Sequence, residues 1–251
     1  VRRTAARPVR MRHSFDSRAD SYDTHAHVQA RAAVALADWI APEERKGLAA
    51  ELGAGTGLLT KQLQPWDGEY LVADISKNML ARAQVSLAAH KNLRYQKMDA
   101  AQPELPAQTQ WILSSSMAQW LDNPQEALSR WRAQAPKANL ALSVFVEGTL
   151  CELLDVLPEC APLTWRSVAQ WEHFLRAAGW QIERAQEESF VCHHPDALAL
   201  LRSLKGFGAT AKGARVGAGA LREGMRKYGQ KYACPRGVRA TWRVFRVIGR
   251  T

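Results

Sequence analysis

Three glycines at alternate positions, Gly53, Gly55 and Gly57, follow a short apolar run and precede a stretch of helical spacing, with Glu51 two residues before them. Glycines so placed let backbone approach a ligand without side-chain obstruction where a strand turns into a helix. The dinucleotide fingerprint G-x-G-x-x-G needs a glycine at 58, where the chain has Leu58, so a nicotinamide dinucleotide is disfavoured. A phosphate-binding P-loop is excluded because its Gly-Lys-Ser/Thr ending is missing. Asp74 and Asp99 close the next two strand-like runs, so with Glu51 three acids stand at three successive strand ends. Each alone reads as a solvated or capping residue. Together they read as hydrogen-bond acceptors arranged around one ligand.

The G-x-G-x-G spacing resembles motif I of class I methyltransferases, whose cofactor, S-adenosylmethionine, has no phosphate and carries a sulfonium and an amino-acid tail. The resemblance implies a role for each acid. Asp74, 17 residues past Gly57, accepts both ribose hydroxyls in a bidentate grip. Asp99 accepts from the adenine amino group, and Glu51 orients the loop and the cofactor's ammonium group. Gly53, Ala54, Gly55 and Gly57 form the cradle, flanked by Ile75, Met79 and Ala100. The sulfonium is already an activated methyl donor and leaves S-adenosylhomocysteine, so the protein has only to align a nucleophile and exclude water. No catalytic triad is required, and none is found.

A parallel sheet must hold these acids at one edge. Helical spacing through Tyr22, Ala26, Gln29, Ala33, Leu36 and Ile40 predicts a helix over 17–40, closed by Pro42. Gly47–Leu52 is the first strand, Leu58–Leu63 a helix, Tyr70–Asp74 the second strand, and Ser76 is placed to cap a helix over Asn78–Ala89. Leu93–Met98, Trp111–Leu113 and Asn139–Val146 follow as strands, with a helix over Pro124–Gln134. Strands alternating with helices specify an α/β fold with a mainly parallel sheet. Beyond Glu147 the reading is helices over 150–157 and Ser167–Ala178, a strand over Trp180–Val191, helices over Asp196–Phe207 and Gly219–Tyr232, and a last strand over Arg239–Ile248. The stretch 195–236 is thus a helical insertion between the final two strands, the natural lid over the carboxyl edge of the sheet. The expectation is a basic arm over 1–13 and a single Rossmann-like methyltransferase domain over 14–251, its seven-stranded sheet ending in an antiparallel strand.

Composition sets outer bounds. With 47% apolar and 23% charged residues, the 251-residue chain is ordinary for a soluble globular protein. No segment approaches the roughly 18 uninterrupted apolar residues of a membrane span. The arginines of 1–13 are followed by Ser14-Phe15-Asp16, without the apolar middle of a secretory signal, so a cytoplasmic location is expected. Cys151, Cys160, Cys192 and Cys234 form no C-x-x-C pair and are expected as free thiols. Cys192-His193-His194 lacks a second ligand cluster, so no metal is expected. The net charge of +10 attracts an acidic partner, whether nucleic acid, protein or anionic surface. Four arginines lie in the first ten residues, and discounting them leaves about +6, a weaker argument for nucleic acid. No aromatic-interleaved basic stripe is present either.

Beyond the cofactor loop the chain resembles the malonyl-acyl-carrier-protein O-methyltransferases of biotin synthesis, nearly end to end. The resemblance rests on Phe15-x-x-x-Ala19-x-x-Tyr22 with Gln29, on Gln119-Trp120, on Glu147-Gly148-Thr149-Leu150-x-Glu152-Leu153, and above all on Arg202-Ser203-Leu204-Lys205-Gly206-x-Gly208-Ala209 in the lid. It implies methylation of the free carboxylate of a malonyl group on an acidic acyl-carrier protein, or on coenzyme A, by a monomer with no nucleic-acid or membrane partner. An ionised carboxylate needs no general base but does need a cation. Arg202 is the candidate, with Lys205 one turn on as a second grip or a contact to the carrier; otherwise both are solvated lid charges. Tyr22 matches the family's active-site tyrosine, closing over the methyl group or bonding the acceptor; by position alone it equally packs in the core. His25 is a weaker substrate contact, and Trp120 walls the adenine or acyl pocket.

The pattern departs from the family at two places. Where members commonly have Ser-Asn before Gln-Trp, this chain has Ser114-Ser115-Ser116-Met117-Ala118, so a serine hydroxyl, a water or backbone must replace the amide. Val238-Arg239-Ala240-Thr241 stands where a Tyr-Pro-Leu-Thr-like entry to the last strand is usual, which alters the wall of the acyl pocket. The competing readings are a quinone or dicarboxylate methyltransferase of the same fold and, from another class, an RNA methyltransferase or nucleic-acid binder.

Overall fold

The computed structural model describes residues 19, 22–160, 163–206 and 216–251. Strands β1 (Ala49–Leu52), β2 (Tyr70–Asp74), β3 (Leu93–Lys97), β4 (Trp111–Ser115) and β5 (Asn139–Phe145) run parallel. Two longer strands, β6 (Gln181–His194) and β8 (Gly237–Arg250), complete the sheet in the order β3-β2-β1-β4-β5-β8-β6, with β8 antiparallel to both neighbours. The strand order reverses at β1, the chain running out through β2 and β3 on one side and returning to β4 and β5 on the other, which opens a crevice at the carboxyl ends, where α/β sheets bind ligands.

The central strands are apolar on both faces because helices cover both. On β2 the side chains alternate: Leu71 and Ala73 enter one core, Tyr70 and Val72 the other. The first core is closed by α5 (Pro124–Gln134) and α7 (Val168–Ala177) through Leu128, Trp131, Trp171 and Leu175. The second is closed by α2 (His27–Ala37), α3 (Leu58–Leu63) and α4 (Lys77–Ser86) through Leu36, Leu59, Leu63 and Leu80. Caps fix where these helices begin: Ser76 Oγ accepts from Met79 N at 3.1 Å, Asn123 Oδ1 from Glu126 N at 3.2 Å, and Ser167 forms a capping box with Gln170.

A third apolar cluster joins α6 (Cys151–Val156), α8 (Ala197–Gly206) and α9 (Ala218–Lys231) to the first half of β8, through Leu153, Leu200, Leu204, Tyr228, Ala240 and Trp242. Helices α8 and α9 lie between β6 and β8 in the chain, followed by β7 (Ala233–Cys234), a pair of residues that hydrogen-bonds to β8. So short a strand carries no periodicity and was invisible in the sequence. The helix predicted over 17–40 is divided: α1 (Tyr22–His25) is one turn, Ala26 leaves the helical region at φ −88°, ψ 28°, and α2 ends at Ala37. Because the apolar spacing runs on through buried Ala26, periodicity could not show the break. The basic arm 1–13 and Phe15 lie outside the described residues, as do 207–209 of the lid motif. Among the described residues, no helix is long and apolar enough to cross a membrane, and all four cysteines are free.

Candidate active site

A cavity of about 580 Å³ runs along the carboxyl edge of the sheet, from Asp99 and Ala100 after β3 to Phe145 at the end of β5 and Trp242 on β8. At its centre the chain leaves β1 as the glycine loop. Gly55 has φ +58°, and a Cβ added there would meet nothing within 4 Å, because the residue borders the cavity. Its N–H donates to Asp74 Oδ2 at 2.9 Å, while Ser76 N donates to Oδ1 at 2.8 Å. Asp74 thus ties the loop after β1 to the start of α4 and still faces the cavity.

Glu51 is 2% exposed inside β1. Thr60 Oγ1 of α3 and the Tyr70 hydroxyl of β2 both donate to its Oε2, at 2.7 and 2.6 Å, leaving Oε1 for a donor in the cavity. Burial outweighs these two bonds and raises the carboxyl from its ordinary range to about 7. A carboxyl so poised ionises readily when a cation arrives beside it.

Tyr22 and Gln29 reach the cavity from α1 and α2, and Ala33 lies beside them. Burial, helped by the carboxylates of Asp74 and Asp23, pushes the Tyr22 hydroxyl well above the usual phenol range, so it remains a donor at neutral pH. The turn after β4 supplies Ser115, Ser116, Met117, Gln119 and Trp120, with Ser116 held at φ +57°. Ser115 Oγ, Ser116 Oγ, Gln119 Oε1 and Gln29 Oε1 are buried with no hydrogen-bond partner. Buried polar atoms left unpaired are costly unless a ligand completes them. Phe145, Trp165 and Trp242 make an apolar wall at the far end, with Phe145 edge-on to Trp165 at 6.3 Å.

The structure therefore brings together Tyr22, Gln29, Glu51, Gly53, Ala54, Gly55, Asp74, Ile75, Met79, Asp99, Ala100, Ser115 and Trp120 on one cavity. It does not bring four other candidates to that wall. Gly57 begins α3 at φ +87°, where a Cβ would lie 2.6 Å from Leu87 Cδ1, so its glycine serves helix packing. Ser114 is fully buried, and its hydroxyl donates to Leu52 O at 2.9 Å between β4 and β1. Arg202 and Lys205 are exposed on α8, away from the described lining. Sequence reasoning missed Asp23, Thr56, Phe145, Trp165 and Trp242. The aromatics sit at positions whose periodicity reads simply as core, and Asp23 lies too far from the loop in sequence for spacing to pair them. Among the described lining residues the one cation is Arg130, which is engaged by Glu126 and by Ala101 O.

A family described as a methyltransferase domain matches residues 50–136, the span from β1 through α5. Among solved structures, magnesium protoporphyrin IX methyltransferase from Synechocystis, with S-adenosylhomocysteine bound, superposes with a TM-score of 0.62 at 17% identity, covering 95% of this chain and 98% of that one. This likeness fixes the fold. The biotin biosynthesis bifunctional protein BioCD of Bordetella avium is 34% identical over 242 residues, 88% of this chain but 49% of that protein. The malonyl-acyl-carrier-protein O-methyltransferase of Pectobacterium atrosepticum is 30% identical over 201 residues, 78% of each chain. The chain belongs to the malonyl-acyl-carrier-protein O-methyltransferase family.

This chain spans about half, or less, of the bifunctional relatives it matches, 49% of the Bordetella avium protein and 40% of one from Teredinibacter turnerae. At the turn after β4, Ser115 borders the cavity and its hydroxyl has no partner, so the position can donate one hydrogen bond and accept as well.

Proposed function

We propose that the chain transfers a methyl group from S-adenosylmethionine to the free carboxylate of a malonyl group borne by an acyl-carrier protein, or by coenzyme A. The observation that carries this reading is a single cavity. It joins the glycine loop, open at Gly55, and strand-end acids to an aromatic pocket walled by Phe145, Trp165 and Trp242. The acceptor assignment draws its support from the family.

The cofactor half fits the group. Asp74 and Asp99 would take the ribose and adenine, Glu51 Oε1 the ammonium group, and the unpaired hydroxyl of Ser115 a further donor or acceptor. When bound, the cofactor supplies a methyl group on a sulfonium, an electrophile that needs no further activation. The residues then have to exclude water and hold the acceptor in line. The malonyl carboxylate is ionised at neutral pH, so no side chain has to move a proton. The protonated Tyr22 hydroxyl and the unpartnered Trp165 N–H are two neutral donors on the described wall that could meet it. Arg202 and Lys205, exposed on α8, are better placed to meet an acidic carrier than to hold the carboxylate inside.

The test is transfer of labelled methyl from S-adenosylmethionine to malonyl-carrier protein, malonyl-coenzyme A, acetyl-carrier protein and bulk RNA. Label confined to the malonyl species and released by mild base as methanol is expected. Cofactor binding without label on any acyl species overturns the acceptor assignment.

A further inference from the structure

Thr56 lies inside the glycine loop, 4% exposed, and its hydroxyl donates to Asp23 Oδ1 at 2.6 Å. Asp23 stands next to Tyr22 on α1, a helix of four residues. At the other end of that turn, His25 packs against Gly206, the last residue of α8: a Cβ added to Gly206 would sit 2.1 Å from His25 Cδ2. One helical turn is too short to hold itself, so its position is set by what it touches. Here it touches the cofactor loop on one side and the insertion on the other. The place of Tyr22 in the cavity and the contact between His25 and the end of α8 are therefore both linked to the glycine loop through α1.

We propose that Asp23 is a positioning residue which, through Thr56, couples the glycine loop to α8, so that filling the cofactor half of the cavity steadies α8, which packs in one apolar cluster with the acceptor-wall residues Phe145 and Trp242. The proposal rests on the reading of the loop as a cofactor cradle and not on the identity of the acceptor. Coupling of this kind is reciprocal: whatever the cofactor does for the acceptor, the acceptor does for the cofactor.

Hydrogen exchange across 197–206, with and without S-adenosylhomocysteine, reads the coupling without any acceptor. In the wild-type chain the product is expected to slow exchange in α8. Asp23→Ala and Thr56→Val each remove the bond; both should weaken S-adenosylhomocysteine binding about tenfold, as expected for a hydrogen bond to a carboxylate, and abolish the protection. Asp23→Asn keeps an oxygen for Thr56 and should restore most of it, which general damage to the fold would not. Gly206→Ala should leave product affinity within twofold yet abolish the protection, because the new methyl group drives α8 off His25. Protection that survives in both Asp23→Ala and Thr56→Val overturns the proposal, and Thr56→Val alone decides if Asp23→Ala does not fold. No product binding to the wild-type chain overturns the cofactor reading and this coupling with it. No methyl transfer to malonyl acceptors, with protection intact, overturns only the acceptor assignment.

Discussion

The two halves of the cavity are built differently. The cofactor half is made where β1, β2 and β3 end, from backbone and from acids whose geometry the sheet itself dictates: Asp74 can hold Gly55 N and Ser76 N only because β1 and β2 pair in register, Leu52 opposite Ala73. The acceptor half is made of side chains brought in by separate excursions, Phe145 from the end of β5, Trp165 from the segment before α7 and Trp242 from β8. The first depends on the fold and tolerates little change. The second can be re-cut by a single aromatic substitution, which is how one fold comes to serve many acceptors.

The difference is broken most severely at Asp74. Asp74→Ala removes two hydrogen bonds to a carboxylate and the group that faces the cavity between them. At about 1.5 kcal/mol or more for each of the two bonds that Asp74 would accept from the ribose hydroxyls, S-adenosylhomocysteine affinity measured by calorimetry should fall about a hundredfold, with loss of turnover to match. A drop below about fivefold would mean that the loop holds its shape without this acid.

Glu51 gives the cofactor half a pH signature. In the free chain its carboxyl is protonated below about 7, because burial outweighs the bonds from Tyr70 and Thr60. A bound ammonium group favours the carboxylate and pulls this value down, so binding releases a proton and affinity rises with pH. The dissociation constant should fall by up to about tenfold per unit between pH 5.5 and 6.5 and level off above about 7.5. Glu51→Gln should bind weakly and without this slope. Stability of the unliganded chain runs the other way. The raised carboxyl stabilises the fold below its ordinary value of 4.5, and that contribution is lost as pH rises through about 7. Thermal midpoints of the free chain should therefore drop across that window, and those of Glu51→Gln should not.

How much was legible follows the same division. The glycine loop, Glu51, Asp74 and Asp99 were readable because strand, loop and helix are contiguous, and α3, β2 and α5 fell on the expected residues. The acceptor wall was not, since Trp242 shares the buried face of β8 with Ala240 and Val244 like any core residue and is 2% exposed. Arg202 shows the limit from another side. A lid motif identifies a cation by type and leaves open which way its helix turns, and α8 spends its inward face on Leu200 and Leu204. Thr56 lies in the most legible loop of all, yet its partner Asp23 is 33 residues upstream, a separation no local pattern records.

Trp165 sharpens the comparison from the acceptor side. Its ring walls the pocket edge-on to Phe145 at 74°, and its buried N–H has no partner. Trp165→Ala should raise KM for malonyl acceptors about fivefold while leaving S-adenosylhomocysteine affinity within twofold. Trp165→Phe keeps the ring and loses the donor, so the portion of the effect that it retains measures the hydrogen bond. Equal losses in cofactor and acceptor binding would show that the two halves are not separable at this residue.

The smallest effect is expected at α8. Arg202 and Lys205 are exposed, and exposed charge pairs contribute about 1 kcal/mol at most. If they meet an acidic carrier, Arg202→Ala and Lys205→Ala should each raise KM for malonyl-carrier protein about threefold at low salt, with kcat unchanged. The difference should shrink as ionic strength rises and the Debye length shortens to about 8 Å near 0.15 M. Malonyl-coenzyme A presents the same carboxylate without the carrier's acidic surface, so its KM should not move. A loss of about a hundredfold on both acceptors in Arg202→Ala would instead place the guanidinium on the carboxylate itself, and would require α8 to turn that side chain inward when the acceptor binds.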